Sequence, residues 1–303
     1  MPGYRGNMTS PVLLMLNRPS REAEAHDPGG AEFVSADPTE NQVSALDLGV
    51  TRGDGIFESI SVAGRRAQAL EPHLTRFAAS ARMLHLPAPD LDAWRTAILA
   101  AVDEHDDVPE AYIKTVLTRG VEGDGRPTGW VYMEPSADFS RARSEGIRVV
   151  TLNRGYATTV ARELPWLLQG AKTLSYALNR AAGREAASRG ADDVIFVSTD
   201  GYLLEGPTSN VILRVGDRLL TPPTDTGILA GTTQASIFAL AEGLGMSTAY
   251  ELLTPADLRT ADAAWLVSSV RHAAPVRSVD GEDRPVDSRL TAVINEHLLS
   301  RRD

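Results

Sequence analysis

The 303-residue sequence predicts an α+β fold made of two domains. Residues 56–62 alternate between apolar and polar side chains, which is typical of a strand with one buried face. Leu74, Phe77 and Leu84 recur at helical spacing, which predicts a helix that packs one stripe on a core. A polar stretch at 135–145 separates these elements from a second series of strands and helices, and the length suits roughly two domains.

The first predicted domain spans residues 1–134 and places two helices on antiparallel strands. Its first 42 residues are predicted to be partly irregular, because 18–42 is polar and contains scattered Pro, Gly, Asp and Glu. Pro72 is expected to open the first helix, since proline suits the first helical turn. The predicted elements are strands at 56–62, 65–70, 112–118 and 129–133, a helix from Pro72 onward and a helix at 91–102.

The second predicted domain spans residues 146–303, after an interdomain connection at 135–145. Its sequence lacks the GxGxxG pattern, so a Rossmann dinucleotide site is not expected. Gly245 is predicted to end the helix that precedes it. The predicted strands lie at 147–151, 193–198, 210–215, 218–220, 247–252, 263–268 and 274–279, and the helices at 173–188, 232–244 and 289–299.

Composition excludes several classes of protein. The net charge of -10 argues against a nucleic-acid partner, which would require a basic face. There are no cysteines, which removes disulfides, thiol catalysis and Cys-ligated zinc, and the six histidines show no metal-ligand spacing, so no metal is expected. No apolar run reaches the ~18 residues of a membrane helix, and no secretory signal is recognisable. We therefore expect a cytoplasmic enzyme or binding protein that acts on small molecules.

Lysine is scarce, because Lys114 and Lys172 are the only lysines among 30 basic residues. Lys172 lies in an apolar run, where burial or a neighbouring cation would lower its pKa and leave a neutral amine able to form a Schiff base. The alternative is a lysine that extends out of the fold into water. For Lys114, within a predicted strand, we favour an ordinary solvated side chain.

Other candidates have two interpretations each. The carboxylate of Glu205 precedes a Gly/Ser/Asn loop, which is either a simple turn or a way to hold a pyridinium nitrogen. The segment 227–233 opens a helix and either binds an anion or is merely N-capped by Thr232 or Thr233. Arg76 lies opposite the apolar stripe of its helix, so helical periodicity alone predicts a solvated side chain. Arg119, at a strand end, either clamps a substrate carboxylate or is exposed.

Taken in order, these segments resemble the class IV pyridoxal-phosphate (PLP) enzymes, fold type IV. That family includes branched-chain aminotransferases, D-amino acid aminotransferases and aminodeoxychorismate lyases. The resemblance runs from about residue 47 to the end of the chain. It depends on the segments 52–58, 73–77, 172–174, 205–210 and 231–233.

The resemblance implies a small N-terminal α+β domain, a larger C-terminal domain with a β-barrel-like core, and PLP between them. It implies that Lys172 is the catalytic, cofactor-bearing lysine and that Glu205 contacts the pyridine nitrogen. It also implies a homodimer with sites at the domain and subunit interface. The further residues it implies are Arg76, Thr232, Thr233 and Ser269 for the phosphate, Ser209, Asn210 and Tyr176 for the cofactor, and Arg119, Arg126 and Phe57 for the substrate.

Three positions depart from the family pattern, namely Ser175, Pro207 and Thr232. The sequence of residues 170–179 is most similar to that of actinobacterial-type aminodeoxychorismate lyases. The resemblance therefore implies a lyase that converts 4-amino-4-deoxychorismate to 4-aminobenzoate and pyruvate in folate synthesis. Its alternatives are an aminotransferase for D-amino acids or branched-chain amino acids, and a non-catalytic PLP-fold binding protein.

Overall fold

The computed structural model of the protein describes residues 10–16 and 33–301. These residues form two compact units. Unit 1 contains the described residues up to Ala137 together with Lys172–Ser175, and unit 2 contains Asp138–Ala171 and Tyr176–Arg301. Each unit combines helices with a sheet, so the predicted α+β class is confirmed.

Unit 1 is built on one antiparallel sheet whose strands lie in the order β2-β1-β6-β5-β3-β4. The longest pairing joins β3 to β5, with Phe57 opposite Val116 and Ser59 opposite Lys114. Alternation over residues 110–114 of β5 and 128–134 of β6 leaves every second side chain partly exposed. The strands are β1 (Val12–Leu16), β2 (Phe33–Ala36), β3 (Gly55–Ala63), β4 (Arg66–Ala67), β5 (Glu110–Thr118) and β6 (Thr128–Pro135).

Two long helices cover one face of this sheet. They are α2 (Leu70–Met83) and α3 (Leu91–Glu104), and a short α1 (Leu48–Arg52) precedes β3. Phe77 of α2 meets Trp94 of α3 edge to face, with ring centroids 4.8 Å apart. That geometry adds favourable electrostatics to the burial of two large apolar side chains. The pair fixes the two helices against each other.

Three predictions for unit 1 need correction. The strand predicted at 65–70 is only β4, because Ala69 takes a left-handed conformation with φ 52° and the helix begins at Leu70. Pro72 is thus the third residue of α2, still within the turn whose N–H groups lack helical partners. Part of the predicted irregular segment forms β2, and β1 was not predicted; residues 1–9 and 17–32 lie outside the described residues.

Unit 2 contains a mixed sheet in the order β11-β10-β9-β12-β13-β7-β8, with β14 paired to β13. Its parallel pairs are β10 with β11, β13 with β7 and β7 with β8. The remaining pairs are antiparallel. The strands are β7 (Ile147–Asn153), β8 (Asp193–Val197), β9 (Asn210–Val215), β10 (Arg218–Thr221), β11 (Ser247–Tyr250), β12 (Ala263–Ser268), β13 (His272–Val279) and β14 (Glu282–Asp283).

The helices of unit 2 pack on this sheet through separate apolar clusters. Trp265 of β12 is buried among Ile237, Ile294 and Leu298, which come from α7 and α9. A second cluster joins α6 to β7 and β8. The helices are α4 (Ser140–Glu145), α5 (Val160–Glu163), α6 (Ala177–Ser188), α7 (Thr232–Gly243), α8 (Pro255–Thr260) and α9 (Ser288–Ser300), with 3₁₀ turns at Pro165–Leu167 and Thr224–Thr226.

One sequence prediction changes here as well. The helix predicted at 173–188 begins only at Ala177, because the backbone of 172–174 pairs with β3 instead. The stretch 135–145, predicted as an interdomain connection, contains α4. Across residues 10–16 and 33–301, every helix is too short or too polar to cross a lipid bilayer.

The indole of Trp265 provides a test of the unit 2 core. Its Nε1–H donates to Thr291 Oγ1 at 2.8 Å, and both side chains are buried. Thr291→Val keeps the shape but leaves the indole N–H unpaired, so we expect the free energy of unfolding to fall by about 1–3 kcal/mol. Chemical denaturation measures this change. The control is Thr260→Val, which removes an exposed hydroxyl that donates a hydrogen bond to the Ala256 carbonyl. An equal loss of unfolding free energy in that variant would contradict the prediction.

Candidate active site

The predicted site residues fall in both units, as two groups. The group in unit 1 consists of Phe57, Arg76, Arg119, Arg126 and Lys172. The group in unit 2 consists of Tyr176, Glu205, Ser209, Asn210, Thr232, Thr233 and Ser269. Hydrogen bonds hold the side chains of Arg76, Arg119 and Arg126 in the first group and of Tyr176, Glu205 and Asn210 in the second.

The Lys172 backbone is anchored along the edge of β3. The Phe57 N–H donates to the Lys172 carbonyl at 3.0 Å, and the Leu174 N–H donates to the Gly55 carbonyl at 2.8 Å. The Lys172 N–H donates to Ser80 Oγ of α2 at 3.1 Å. Because these bonds fix the Cα of Lys172 to both the sheet and a helix, only the side-chain torsions of the lysine remain adjustable.

The Lys172 amine lies over an aromatic ring. Its Nζ is 4.4 Å from the centroid of Phe57, a ring that is 9% exposed. The Nζ of Lys114, a partly exposed side chain, lies 5.3 Å from the same centroid. A ring face attracts cations and offers no competing proton acceptor. Lys172 is therefore held in a partly apolar setting, as its sequence context predicts.

Arg76 is engaged by a buried carboxylate rather than solvated, so the expectation from periodicity is wrong. Its Nε and Nη2 donate to the two oxygens of Glu58, each at 2.7 Å. His73 shares the site, with Nδ1 2.8 Å from Glu58 Oε2. Burial disfavours ionisation of Glu58, but Arg76 and His73 outweigh burial and hold its pKa below the usual value. Burial lowers the pKa of His73, so its neutral Nδ1–H donates to Glu58.

The two arginines predicted to bind substrate have partners of their own. Arg119 Nε donates to Asp54 Oδ2 at 2.6 Å, and its Nη2 donates to the Leu84 carbonyl at 2.7 Å. Most of this guanidinium is therefore committed to tying the strand end to the end of α2. Arg126 Nη2 donates to Asp124 Oδ1 at 3.0 Å.

In unit 2, Glu205 is held by amide donors. The Leu229 N–H donates to Glu205 Oε2 at 3.1 Å, and Asn210 Nδ2 lies 3.5 Å from the same oxygen. Asn210 also donates to the Leu229 carbonyl at 2.9 Å, which ties the two loops together. Tyr176 Oη donates to the Pro207 carbonyl at 2.7 Å. The Oγ of Ser209 is buried with no hydrogen-bond partner in the described part of the chain.

Three hydroxyl groups gather at the N-terminus of α7. The Oγ1 atoms of Thr232 and Thr233 lie 3.5 and 3.3 Å from Ser269 Oγ. Gly231 occupies the N-cap position, so it offers no side chain to the first helical N–H groups. A Cβ on Gly231 would lie 1.9 Å from Asn210 Oδ1, which explains the glycine. Hydroxyl donors and uncapped N–H groups at a helix start suit a bound anion.

Sequence reasoning missed the residues that position these side chains. Glu58 has the same parity along β3 as Ile56 and Ile60, so alternation alone places a carboxylate on the buried face, where it requires partners. The spacing of His73 and Arg76 on α2 supplies them. That combination was present in the sequence and signalled a structural ion pair.

The chain is similar in sequence and in fold to known proteins of one family. A family model described as amino-transferase class IV matches residues 55–279. The chain is 44% identical over 251 residues to a bifunctional aminodeoxychorismate lyase / D-amino acid transaminase of Mycobacterium tuberculosis, covering 80% of this chain and 87% of that protein. A fold IV transaminase from Curtobacterium pusillum shares 54% identity at a TM-score of 0.91, with coverage of 96% and 97%. The PLP-bound form of a hypothetical aminotransferase from Mycobacterium tuberculosis gives 38% identity and a TM-score of 0.86, with coverage of 95% and 97%.

The ion pair of Glu58 with Arg76 makes the free energy of unfolding depend on pH. A carboxyl whose pKa is lowered by folding contributes stability that is present above the usual value of 4.5 and is lost as the pH falls below it. Glu58→Gln is expected to lower the free energy of unfolding at pH 7 by about 3–5 kcal/mol, because it leaves the largely buried Arg76 without its charge partner. Denaturant unfolding at pH 7 and pH 4 measures both effects.

The matched control is Glu71→Gln. Glu71 lies at the start of α2, and its exposed carboxylate pairs with Arg95 of α3. We expect a far smaller change there, since exposed pairs contribute little. The difference between Glu58→Gln and the parent protein is expected to shrink at pH 4. A difference that is constant with pH would count against a charged Glu58.

Proposed function

The chain belongs to the class IV aminotransferase family of PLP-dependent enzymes, and on that premise we propose that it is an aminodeoxychorismate lyase that also transaminates D-amino acids. The observation that carries the proposal is the anchored Lys172 amine over the Phe57 ring. The name of the 44% identical relative, which combines these two activities, supports the choice of substrates. A role in folate synthesis in the cytoplasm, as a homodimer, belongs to the same proposal.

The residues of each unit fit PLP by their chemistry. Lys172 offers the amine for the aldehyde, and Glu205 offers a carboxylate for the pyridine nitrogen. The hydroxyls of Thr232, Thr233 and Ser269 at the start of α7 suit a phosphate. Arg76 remains the proposed cation for that phosphate, and the ion pair with Glu58 would orient it. When bound, PLP supplies an electron sink for a carbanion on the substrate.

Lys172 is the residue proposed to move protons. In the lyase reaction, its Nζ takes the proton from the ring carbon that bears the amine, and the bond between the neighbouring ring carbon and the ether oxygen breaks. The enolpyruvate that leaves takes up a proton to become pyruvate, and the ring becomes that of 4-aminobenzoate. In transamination, the same nitrogen removes the α-proton of the amino acid and returns it at a different carbon. Positioned proton transfer of this kind contributes about 10²–10⁴-fold to rate.

Both reactions use the same amine, so one set of residues can support both. The partition depends on where the substrate places its leaving group and its carboxylates. Arg119 ties Asp54 to the end of α2, so we assign it a positioning role beside the substrate. Arg126 is the second arginine proposed for the substrate carboxylate. Phe57 is proposed to line the substrate position through its ring.

Chemical trapping tests the role of Lys172. Reduction of the PLP-loaded protein with borohydride, followed by protease digestion and mass spectrometry, is expected to place the phosphopyridoxyl group on the peptide containing Lys172. The chain has only two lysines, so the labelled peptide is readily assigned. Lys172→Ala is expected to abolish the label, and Lys114→Ala to retain it. A label on Lys114, or none on either peptide, would refute the assignment.

A substrate test separates the two activities. The wild-type protein receives 4-amino-4-deoxychorismate alone in one assay, and D-alanine with 2-oxoglutarate in another. We expect 4-aminobenzoate and pyruvate in the first, without any amino acceptor, and D-glutamate in the second. Lys172→Ala should lower both rates by about 10²-fold or more, since both require the same amine. Product in only one assay would restrict the proposal to that reaction.

A further inference from the structure

Ser80 carries a buried hydroxyl in the last turn of α2, where the residue is 2% exposed. In the sequence it stands between Ala79 and Ala81. Alanine is the better helix former, because a serine hydroxyl competes for backbone hydrogen bonds. The serine therefore costs the helix some stability unless its hydroxyl has a use elsewhere. Its Oγ accepts the Lys172 N–H at 3.1 Å, which supplies such a use.

Three polar side chains share one face of α2. His73, Arg76 and Ser80 follow the i, i+3, i+7 spacing that places side chains along one stripe of a helix. His73 and Arg76 both contact the carboxylate of Glu58, at 2.8 and 2.7 Å. Ser80 contacts the backbone of Lys172 instead. The stripe therefore joins α2 to two partners, a residue of β3 and the Lys172 segment.

These contacts form a closed cycle that begins and ends at Lys172. Its carbonyl accepts from the Phe57 N–H at 3.0 Å, and the next residue of β3 is Glu58. Glu58 pairs with Arg76, which precedes Ser80 by four residues on α2. Ser80 then returns to the Lys172 N–H. The N–H and the C=O of Lys172 are thus held by two elements that a buried ion pair locks together.

The helix fixes a distance within this cycle. Arg76 and Ser80 are four residues apart, which corresponds to about 6 Å along the helix axis. The helix is itself held to α3 by the edge-to-face contact of Phe77 with Trp94. The backbone of Lys172 therefore keeps a set distance from the Cα of Arg76 for as long as Ser80 holds the Lys172 amide.

We propose that Ser80 is a positioning residue, which holds Lys172 at a fixed distance from Arg76 through α2. The inference rests on the proposed function, in which Arg76 binds the phosphate of PLP and Lys172 meets the aldehyde. A molecule held at two points reacts efficiently when the protein groups match the spacing of those points, and misplacement by about 1 Å can cost about 10²-fold in rate. A purely structural serine would stabilise α2 without affecting this match.

The first test compares two aldehydes that differ by one phosphate. PLP is held at both its phosphate and its aldehyde, whereas pyridoxal has no phosphate to bind. Each is mixed with the cofactor-free protein, borohydride is added after timed intervals, and mass spectrometry measures the label on the Lys172 peptide. The ratio of the labelling rate with PLP to that with pyridoxal gives the advantage of attachment at two points.

We expect Ser80→Ala to lower this ratio about 10-fold, because Lys172 loses its fixed distance from Arg76. Labelling by pyridoxal should change little. Ser80→Thr keeps the hydroxyl and should restore most of the ratio. Should its added methyl group prevent folding, Ser80→Cys, with a weaker acceptor of similar size, should give an intermediate ratio. The stability control is Thr291→Val, which removes a buried hydrogen bond from the core of unit 2 and should leave the ratio unchanged.

The second test measures the amide hydrogen bond itself and needs no cofactor. Because the chain has two lysines, labelling with ¹⁵N-lysine gives two backbone amide signals, and Lys172→Ala identifies them. Lys114, in the interior strand β5, is the internal reference. We expect Ser80→Ala to speed hydrogen exchange at the Lys172 amide about 10- to 100-fold relative to Lys114, as for loss of one buried hydrogen bond. Thr291→Val should leave the ratio of the two exchange rates unchanged.

The proposal is overturned if Ser80→Ala speeds exchange at Lys172 but leaves the ratio of the labelling rates unchanged, since the hydrogen bond would then be structural only. Equal slowing with both aldehydes, an equal fall of the ratio in Thr291→Val, or unchanged exchange at Lys172 would overturn it as well. Failure of the proposed function is a different result, namely a ratio near one in the wild-type protein or no label on Lys172. Amide exchange would still measure the bond to Ser80 in that case.

Discussion

The site depends on a short pairing between the Lys172 segment and β3. Two backbone hydrogen bonds, at 3.0 and 2.8 Å, join this segment to Phe57 and Gly55. β3 is itself paired along its whole length with β5. The backbone of Lys172 is therefore held by a rigid, central part of the sheet. An amine that must attack one carbon benefits from such placement, because misplacement by about 1 Å can cost about 10²-fold in rate.

Consecutive residues of β3 place an aromatic ring on one face of the strand and a carboxylate on the other. Phe57 lies on one face beside the lysine amines, while its neighbour Glu58 lies on the face that α2 covers and holds Arg76. A shift of register by one residue would exchange these faces and remove both functions together. The long antiparallel pairing with β5 and the buried ion pair both oppose that shift. Fold stability and site geometry are therefore coupled through consecutive residues.

Local patterns in the sequence were sufficient for elements with local causes. The strands at 210–215 and 263–268 follow alternation or continuous burial, and the structure has them at those bounds. The start of α6 could not be predicted this way, because 172–174 takes its hydrogen bonds from β3, over a hundred residues earlier. Alternation likewise gives the face of the strand on which Lys114 lies, but not the residues that share that face, such as Phe57.

Arginine and lysine have separate tasks in this protein. Arginine forms the fixed ion pairs, such as Arg76 with Glu58 and Arg119 with Asp54, where a planar fork matches a carboxylate. A guanidinium stays protonated and so does not compete for an aldehyde. Both lysine amines lie at the Phe57 ring, where we propose that the reaction takes place. On that proposal, the scarcity of lysine limits reaction of PLP elsewhere on the protein.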